Sequence, residues 1–190
     1  AANGRMFVQG DRVLFGLDAY NGTVLWTFFS PEMRRSNMPR DGSNMVATDD
    51  TLFVTIGSEC IALDAQTGKR RAAIHAAKGR DWGWLSAGKG QLLSATVKSG
   101  SSYKADSGEW YDGVGAVDIQ RVVSDALLSH NPTTGKEQWS YHGGAVMNST
   151  LTIADDTIYF VESRSTNLVK SATSRIAPAQ LTGQHLVALD

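Results

Sequence analysis

A short motif recurs along the chain and constrains its fold more than any other feature. It reads Leu-Asp-Ala-Tyr-Asn-Gly-Thr-Val-Leu-Trp at residues 17–26 and Leu-Asp-Ala-Gln-Thr-Gly at residues 63–68. A third copy runs from Asn131 to Trp139, and the chain ends on Leu-Asp, which opens a fourth copy. The aspartate or asparagine positions are 46, 67 and 59 residues apart. The sequence therefore predicts a repeat protein whose repeats differ in length.

Each copy of the motif predicts a β-hairpin turn. An aspartate or asparagine opens the turn because its side chain accepts hydrogen bonds from backbone amides within it. A glycine four residues later supplies the positive φ that other residues resist. These turn positions are Asp18, Gly22, Asp64, Gly68, Asn131 and Gly135.

The segments that flank the hairpins bring each repeat to four strands. Further strands rich in β-compatible residues precede the hairpins at residues 5–9, 51–56, 91–97 and 157–162. Shorter alternating pieces come before these strands. Four-stranded antiparallel units of this kind build the blades of β-propellers. No segment has a sustained 3.6-residue apolar period, so we expect an all-β chain with almost no helix.

The pattern Leu-Asp-Ala-x-x-Gly-x-x-x-Trp resembles the PQQ-like repeat of quinoprotein dehydrogenases and of the bacterial outer-membrane assembly lipoprotein. The resemblance covers essentially all 190 residues and implies a β-propeller. In that family the tryptophan docks onto a neighbouring blade. Trp26 and Trp139 match this position, whereas Ala72 departs from it in the second repeat.

The spacing of the repeats divides the chain into about four blades. We place them at residues 1–30, 43–76, 84–142 and 146–190. The first blade would lack most of its innermost strand, and the last blade would lack its fourth strand. A closed propeller usually completes one blade with strands from both ends of the chain, but here the strands at one end would not supply what the other end lacks. We therefore expect a fragment of a larger propeller, of seven or eight blades by family analogy, with the remaining blades as partners.

Two inserts lengthen the third and fourth repeats, at residues 98–120 and 163–183. Both fall between the second and third strands of a blade, so we expect them side by side on one face. The first is acidic and contains Trp110 and Tyr111, and the second is basic. The two loops could pack together, or the aromatic pair could present a surface to a sugar, a peptide or another domain. The Gly- and Ser-rich stretch at 99–108 also permits disorder.

The connections between blades hold further candidate residues for a ligand or partner face. They are Arg40, Asn44, Trp82, Trp84, His142 and Asn148. In family enzymes such connections run toward the central channel that holds the cofactor. The alternatives are that Arg40 pairs with Asp41, and that the tryptophans fill space between blades. A lone histidine without a second ligand nearby is a weak argument for a metal.

Charge and composition exclude several classes of function. The 18 basic and 19 acidic side chains nearly cancel, so no nucleic-acid groove is indicated. No apolar run approaches the roughly 18 residues that span a bilayer. The single cysteine, Cys60, reads as a small core residue.

Three functions remain open. The leading hypothesis is a non-catalytic binding or interaction scaffold with a protein or glycan partner on the inserts. The family resemblance alone implies that it belongs to a larger bacterial protein that is periplasmic or otherwise extracytoplasmic. An alternative is a fragment of a PQQ-dependent alcohol or sugar dehydrogenase, which implies PQQ and calcium. Another is a sensor propeller appended to an effector domain. Because no nucleophile, phosphate-loop or paired-carboxylate motif occurs, we predict no catalytic residue, metal site or cofactor in this part of the chain.

Overall fold

The computed structural model describes residues 2–33, 43–101 and 120–190. Of the described residues, 56% lie in strands and 6% in helices, so this part of the chain is nearly all-β and the predicted fold class is confirmed. In chain order the strands are β1 (Arg5–Gln9), β2 (Val13–Asp18), β3 (Val24–Phe29), β4 (Met45–Ala47), β5 (Thr51–Ile56), β6 (Glu59–Asp64), β7 (Arg70–His75), β8 (Arg80–Gly88), β9 (Gln91–Lys98), β10 (Arg121–Ser124), β11 (Ala126–His130), β12 (Glu137–Tyr141), β13 (Ala145–Met147), β14 (Thr152–Ala154), β15 (Thr157–Ser163), β16 (Arg175–Ile176) and β17 (Gln184–Leu189). The helical pieces are short: α1 (Thr166–Val169) and 3₁₀ turns at Asn148–Thr150 and Pro178–Gln180.

The strands form four antiparallel sheets that follow one another along the chain. The first has the order β1-β2-β3, and the second has the order β4-β5-β6-β7. The third has the order β12-β11-β9-β8. In the fourth, β15 pairs with β13, β14 and β17, and β13 pairs on its other edge with β10, which pairs with β16. Each sheet corresponds to one propeller blade.

The three hairpin turns share one geometry. In the first, Asp18 Oδ1 accepts hydrogen bonds from the amides of Tyr20 (2.8 Å) and Asn21 (3.1 Å). Asp64 and Asn131 make the same pair of contacts in their own turns. The glycine of each turn has a φ between 69° and 75°. The side-chain contacts and the left-handed glycine together fix the hairpin that the motif encodes.

Apolar side chains fill the spaces between successive sheets. One buried cluster, which includes Leu14, joins the first sheet to the second. A second cluster around Phe53 joins the second sheet to the third, and a third around Phe160 joins the third to the fourth. The core is therefore divided into layers between blades, as in stacked repeats.

Trp26 docks the first sheet onto the turn of the second. Its Nε1 donates a hydrogen bond of 3.1 Å to the carbonyl oxygen of Ala65. Its ring lies so close to Gly68 that a Cβ there would meet it at 2.5 Å. The flat face of the indole thus packs directly on the glycine backbone of the next hairpin.

In the second repeat Ile74 takes over this docking contact from the missing tryptophan. Ala72 occupies the strand position of Trp26, and Ile74 follows two residues later on the same face of β7. The Ile74 side chain lies 3.0 Å from where a Cβ on Gly135 would stand. A β-branched side chain therefore packs on the third hairpin turn in place of an indole.

Trp82 and Trp84 lie in strand β8, so the prediction that they belong to a connection was wrong. The third sheet begins at Arg80, before the predicted boundary at 84. The alternation of β8 is broken because Gly83 is an extra residue: Trp82 faces Thr96 on β9, whereas Trp84 faces the adjacent Ala95. This β-bulge turns the two indoles to opposite faces. Trp82 packs in the cluster between the second and third sheets, and Trp84 against the cluster between the third and fourth.

The first insert also extends further than predicted. It was placed at 98–120, but residues 121–124 form β10, which belongs to the fourth sheet. The third sheet resumes only at Ala126. Residues 102–119 of this insert lie outside the described part of the chain.

Candidate functional site

The described parts of the two inserts are joined by strand pairing. β10 returns from the first insert and pairs with β16 of the second, with Arg121 opposite Ile176 and Val122 opposite Arg175. β10 also pairs with β13, so both inserts extend the fourth sheet beyond that strand. We call the unit formed by residues 98–101, 120–125 and 163–183 the insert platform.

Side-chain and backbone hydrogen bonds close the other end of the insert platform. The amide of Lys98 donates to Ser174 Oγ at 3.0 Å, and the amide of Ser174 donates to Ser101 Oγ at 3.0 Å. Arg175 donates from Nη2 to the carbonyl oxygen of Gly100 (3.0 Å) and from Nε to that of Ser101 (3.3 Å). The described contacts of Arg175 thus go to carbonyl dipoles of the first insert.

An apolar underside anchors the insert platform to the fourth sheet. Val123, Leu168 and Ile176 are buried together with Ala145, the first residue of β13. The single helical turn α1 contributes Leu168 to this cluster. The insert platform therefore has a core of its own, and its described segments form a folded surface.

Three candidate residues fall outside the described residues. They are Arg40, Trp110 and Tyr111. The interpretations that rest on them, a ligand contact at Arg40 and an aromatic surface on the first insert, stay predictions.

Two of the remaining candidates, Trp82 and His142, line one cavity that is described below, whereas Asn44 and Asn148 make contacts elsewhere. Asn44 donates from Nδ2 to Gln9 Oε1 at 2.6 Å, which ties the second sheet to the first. Asn148 is buried, and its Oδ1 accepts a hydrogen bond of 2.6 Å from Ser124 on β10. His142 is exposed just after β12. Asn44 and Asn148 thus hold neighbouring elements together.

A cavity of about 480 Å³ opens beneath the insert platform, where the end of the second sheet, the third sheet and the start of the fourth sheet come together. Its floor includes Trp82, Thr96 and His130, all buried and all on strands of the third sheet. Ala76 to Lys78, after β7, line it from the second sheet, and Leu168 and Val169 line it from the insert platform. His142 also lies on its lining.

Two ring nitrogens of the floor lack a hydrogen-bond partner in the described structure. They are Nε1 of Trp82 and Nδ1 of His130, and each residue is only 4% exposed. The two rings meet edge to face, with centroids 5.6 Å apart. Burial lowers the pKa of His130, and the nearby Glu137 carboxylate opposes this shift only in part. The imidazole is therefore neutral at pH 7.

Charged groups stand around the same cavity. Arg80 and Asp125 form an ion pair with Nη2 and Oδ2 2.8 Å apart, and Thr96 donates to Asp125 Oδ1 at 3.3 Å. Lys98 donates from Nζ to the carbonyl oxygens of Val169 and Ser171. Lys78 is exposed on the lining and makes no hydrogen bond or ion pair within the described residues.

A buried carboxylate lies where the third and fourth sheets meet. Glu162 is completely buried, accepts a hydrogen bond from Tyr141 Oη at 3.0 Å and pairs with Arg164 Nε at 2.7 Å. Burial and the Glu162 carboxylate raise the pKa of Tyr141 above its usual value. The phenol therefore stays protonated and acts as a hydrogen-bond donor to the carboxylate.

Sequence reasoning missed His130, Asp125 and Glu162. Glu162 carries a signal, because a charge at the end of the apolar run Thr-Ile-Tyr-Phe-Val must be paired if it is buried. His130 carries no comparable signal. Its role depends on the neighbouring blade, which no local pattern reports.

The dehydrogenase alternative implies a calcium ion, which takes oxygen ligands, and this alternative stays a prediction. Within residues 2–33, 43–101 and 120–190, no group of three or more His, Cys, Asp or Glu side chains is arranged to hold a metal ion. The cysteine, Cys60, is buried, and burial raises the pKa of its thiol to about 12. We therefore derive no step through PQQ or calcium.

A family model supports the interpretation of the repeats. Residues 1–89 match the model described as outer membrane protein assembly factor BamB. Over these residues the chain is similar to the PQQ-like propeller repeat. These matched residues contain the first two sheets, with the hairpins of Asp18 and Asp64. A comparison with curated protein sequences gives no significant match.

Two solved structures of propellers resemble the chain in fold, and a third gives a lower score. Quinohemoprotein alcohol dehydrogenase ADHIIG from Pseudomonas putida matches 100% of this chain and 33% of its own, with a TM-score of 0.56 and 14% identity. The WD40 domain of Neurospora crassa Pan2 matches 100% of this chain and 49% of its own, with a TM-score of 0.52 and 11% identity. BamB from Moraxella catarrhalis matches 84% of this chain and 67% of its own, with a TM-score of 0.42 and 15% identity.

These identities show the fold alone. The chain spans about a third of the length of the dehydrogenase and about half that of the WD40 domain. The repeats therefore have the architecture of a propeller fragment. No helix among the described residues is both long and apolar enough to cross a membrane.

Proposed function

We propose that this chain is a non-catalytic binding scaffold whose working surface is the insert platform. The observation that supports the proposal is the pairing of β10 with β16, which joins loops from two consecutive blades into one folded surface. Loops on a rigid repeat scaffold are where such folds place their binding contacts.

The chemistry of the insert platform favours binding over catalysis. Lys98 and Arg175 both donate from their charged groups to backbone carbonyl oxygens, and these contacts help to hold the two inserts together. A catalytic site instead needs a nucleophile or acid–base pair within reach of a substrate. The described part of the insert platform has a polar outer surface over an apolar core.

The matched family model supports a proposal about the kind of partner and the cellular location. The matched model is named for an assembly factor of outer membrane proteins. We accordingly propose a protein or glycan as the partner and an extracytoplasmic, periplasmic setting in a bacterium. The dehydrogenase fragment and the sensor propeller stay as alternatives.

Site-specific photo-crosslinking in the native host tests the proposal. A photoreactive residue at Ala172, exposed on the insert platform, should give one discrete crosslinked product. The same residue at Gln66, exposed in the second hairpin turn, is the matched control and should give none. A further position at Trp110 tests the predicted aromatic surface.

Two results would overturn the proposal of a binding scaffold. One is the absence of any crosslinked product from both insert positions. The other is reduction of a dye by the full chain that depends on added PQQ and calcium with alcohols or aldoses as substrates. The second result would favour the dehydrogenase.

A further inference from the structure

We propose that the cavity beneath the insert platform binds a small carboxylate with an apolar body. Its volume of about 480 Å³ falls within the range of roughly 300–1,000 Å³ that is typical of small-molecule sites. This site is separate from the outer surface of the insert platform, which the proposed scaffold function uses.

The lining suits an apolar body. Ala76 and Ala77 contribute small apolar side chains from the second sheet, and Leu128 contributes one from β11. Trp82 adds an indole on the floor, and Leu168 closes the cavity from the insert platform. These apolar side chains alternate on the lining with polar and charged ones, so the cavity can hold a ligand that has both an apolar body and a polar group.

The unpartnered indole N–H on the floor calls for a hydrogen-bond acceptor. A buried N–H without a partner is unfavourable, and native structures nearly always satisfy such groups. Trp82 Nε1 can only donate a hydrogen bond, and it lies beside His130, whose Nδ1 is also without a partner. A ligand oxygen that reached this part of the cavity would satisfy the indole N–H.

The charges of the lining favour an anion. Three cations, Lys78, Arg80 and Lys98, face two carboxylates, Asp125 and Glu137. Arg80 is neutralised by Asp125, and Lys98 is held by backbone carbonyl oxygens. Lys78 is therefore the cation of the lining that is available to a ligand carboxylate.

Nuclear magnetic resonance of the tryptophan indoles tests the site directly. The full chain labelled with ¹⁵N has five tryptophans, and the Trp82→Phe variant identifies the Nε1–H signal of Trp82 by its loss. Benzoate is the probe, and benzylamine, with the same ring and the opposite charge, is the matched control. We expect benzoate to shift the Trp82 signal in a saturable way and benzylamine to leave it unmoved.

Substitutions at the rim keep the test independent of folding. Lys78→Gln changes an exposed side chain and should weaken benzoate binding at least threefold. Lys69→Gln, in the exposed second hairpin turn, should leave binding unchanged. A Trp82 signal that benzoate does not move, equal shifts with benzylamine, or equal affinities of the two lysine variants would each overturn the proposal. The crosslinking at Ala172 reports on the scaffold separately.

Discussion

The hairpin glycines show how one residue type meets two different demands. Gly22 and Gly68 occupy equivalent turn positions and both have positive φ, 75° and 69°. A Cβ on Gly22 would meet nothing within 4 Å, whereas a Cβ on Gly68 would meet the Trp26 ring at 2.5 Å. The glycine of the motif therefore allows the positive φ of the turn at both positions. At Gly68 the missing side chain also leaves room for the indole of Trp26.

The first prediction compares alanine at these two glycines. Gly22→Ala should destabilise the chain by about 1–2 kcal/mol, the cost of placing an L-residue in the left-handed region. Gly68→Ala should cost about 1–3 kcal/mol more because the methyl group collides with the indole of Trp26. Urea unfolding followed by circular dichroism measures both. Equal losses of stability would contradict the docking contact.

The second prediction concerns the carboxylate of Asp64. Hydrogen bonds from Arg71 and then from Thr67 lower its pKa from 3.8 to about 2. Since the folded pKa lies below the unfolded one, Asp64 stabilises the fold above about pH 4, and this contribution is lost as the pH falls toward 2. Arg71→Gln should raise the pKa of Asp64 toward its usual value in a ¹³C carboxyl titration.

The control for this titration is the neighbouring arginine. Arg70 pairs with Glu59 instead of Asp64, so Arg70→Gln should leave the Asp64 titration unchanged. If both variants moved the pKa of Asp64 equally, the low pKa would be explained by the general positive charge nearby and the specific contact with Arg71 would be contradicted.

At the scale of elements, the sequence predicted the hairpins well and the long-range pairings poorly. The motif carries its own turn chemistry, so the strands on either side of Asp18 and Asp64 were placed correctly. β8 was misplaced because the bulge at Gly83 breaks the two-residue alternation that identifies a strand. β10 was missed as a member of the fourth sheet, since four residues with a β-pattern do not specify their partner.

The same limit applied to the candidate site. The expectation that both inserts crowd one face followed from their equivalent positions in consecutive repeats, and the described segments do lie together. The cavity could not be predicted, because it brings together residues from the second sheet, the third sheet and the second insert. Trp82 and His130 become neighbours only when β8 and β11 are both paired with β9.

The third prediction tests how the insert platform is held. Arg175→Ala removes donors to the carbonyl oxygens of Gly100 and Ser101, each such contact contributing about 1 kcal/mol. Amide hydrogen exchange at residues 173–176 should accelerate by about tenfold or more. Lys170→Ala, an exposed change on the same insert, is the control and should not alter exchange. Unchanged exchange in the Arg175 variant would contradict the arrangement.

The whole molecule has an apolar face at each end of its row of sheets. On the first sheet Met6, Leu25 and Phe29 are exposed, and on the fourth sheet Tyr159 and Leu186 are exposed. Between the sheets the corresponding positions are buried in three apolar clusters. Exposed apolar faces of this kind mark surfaces that pack against another element.

The fourth prediction follows from these faces. The 190-residue chain by itself should self-associate in sedimentation velocity at micromolar concentration. Phe29→Lys combined with Leu186→Lys should reduce the association, because each substitution places a charge on one end face. Tyr20→Lys, which changes a 92% exposed residue in a turn, should not. A monodisperse wild-type monomer would contradict the prediction.

An experimental structure of the full chain is the most direct test of this propeller arrangement. We expect four consecutive antiparallel sheets in chain order, with Trp26 on the turn of Gly68 and β10 paired with both β13 and β16. We also expect that the first and fourth sheets do not meet. A closed four-bladed ring, in which the first sheet packs on the fourth, would contradict this arrangement.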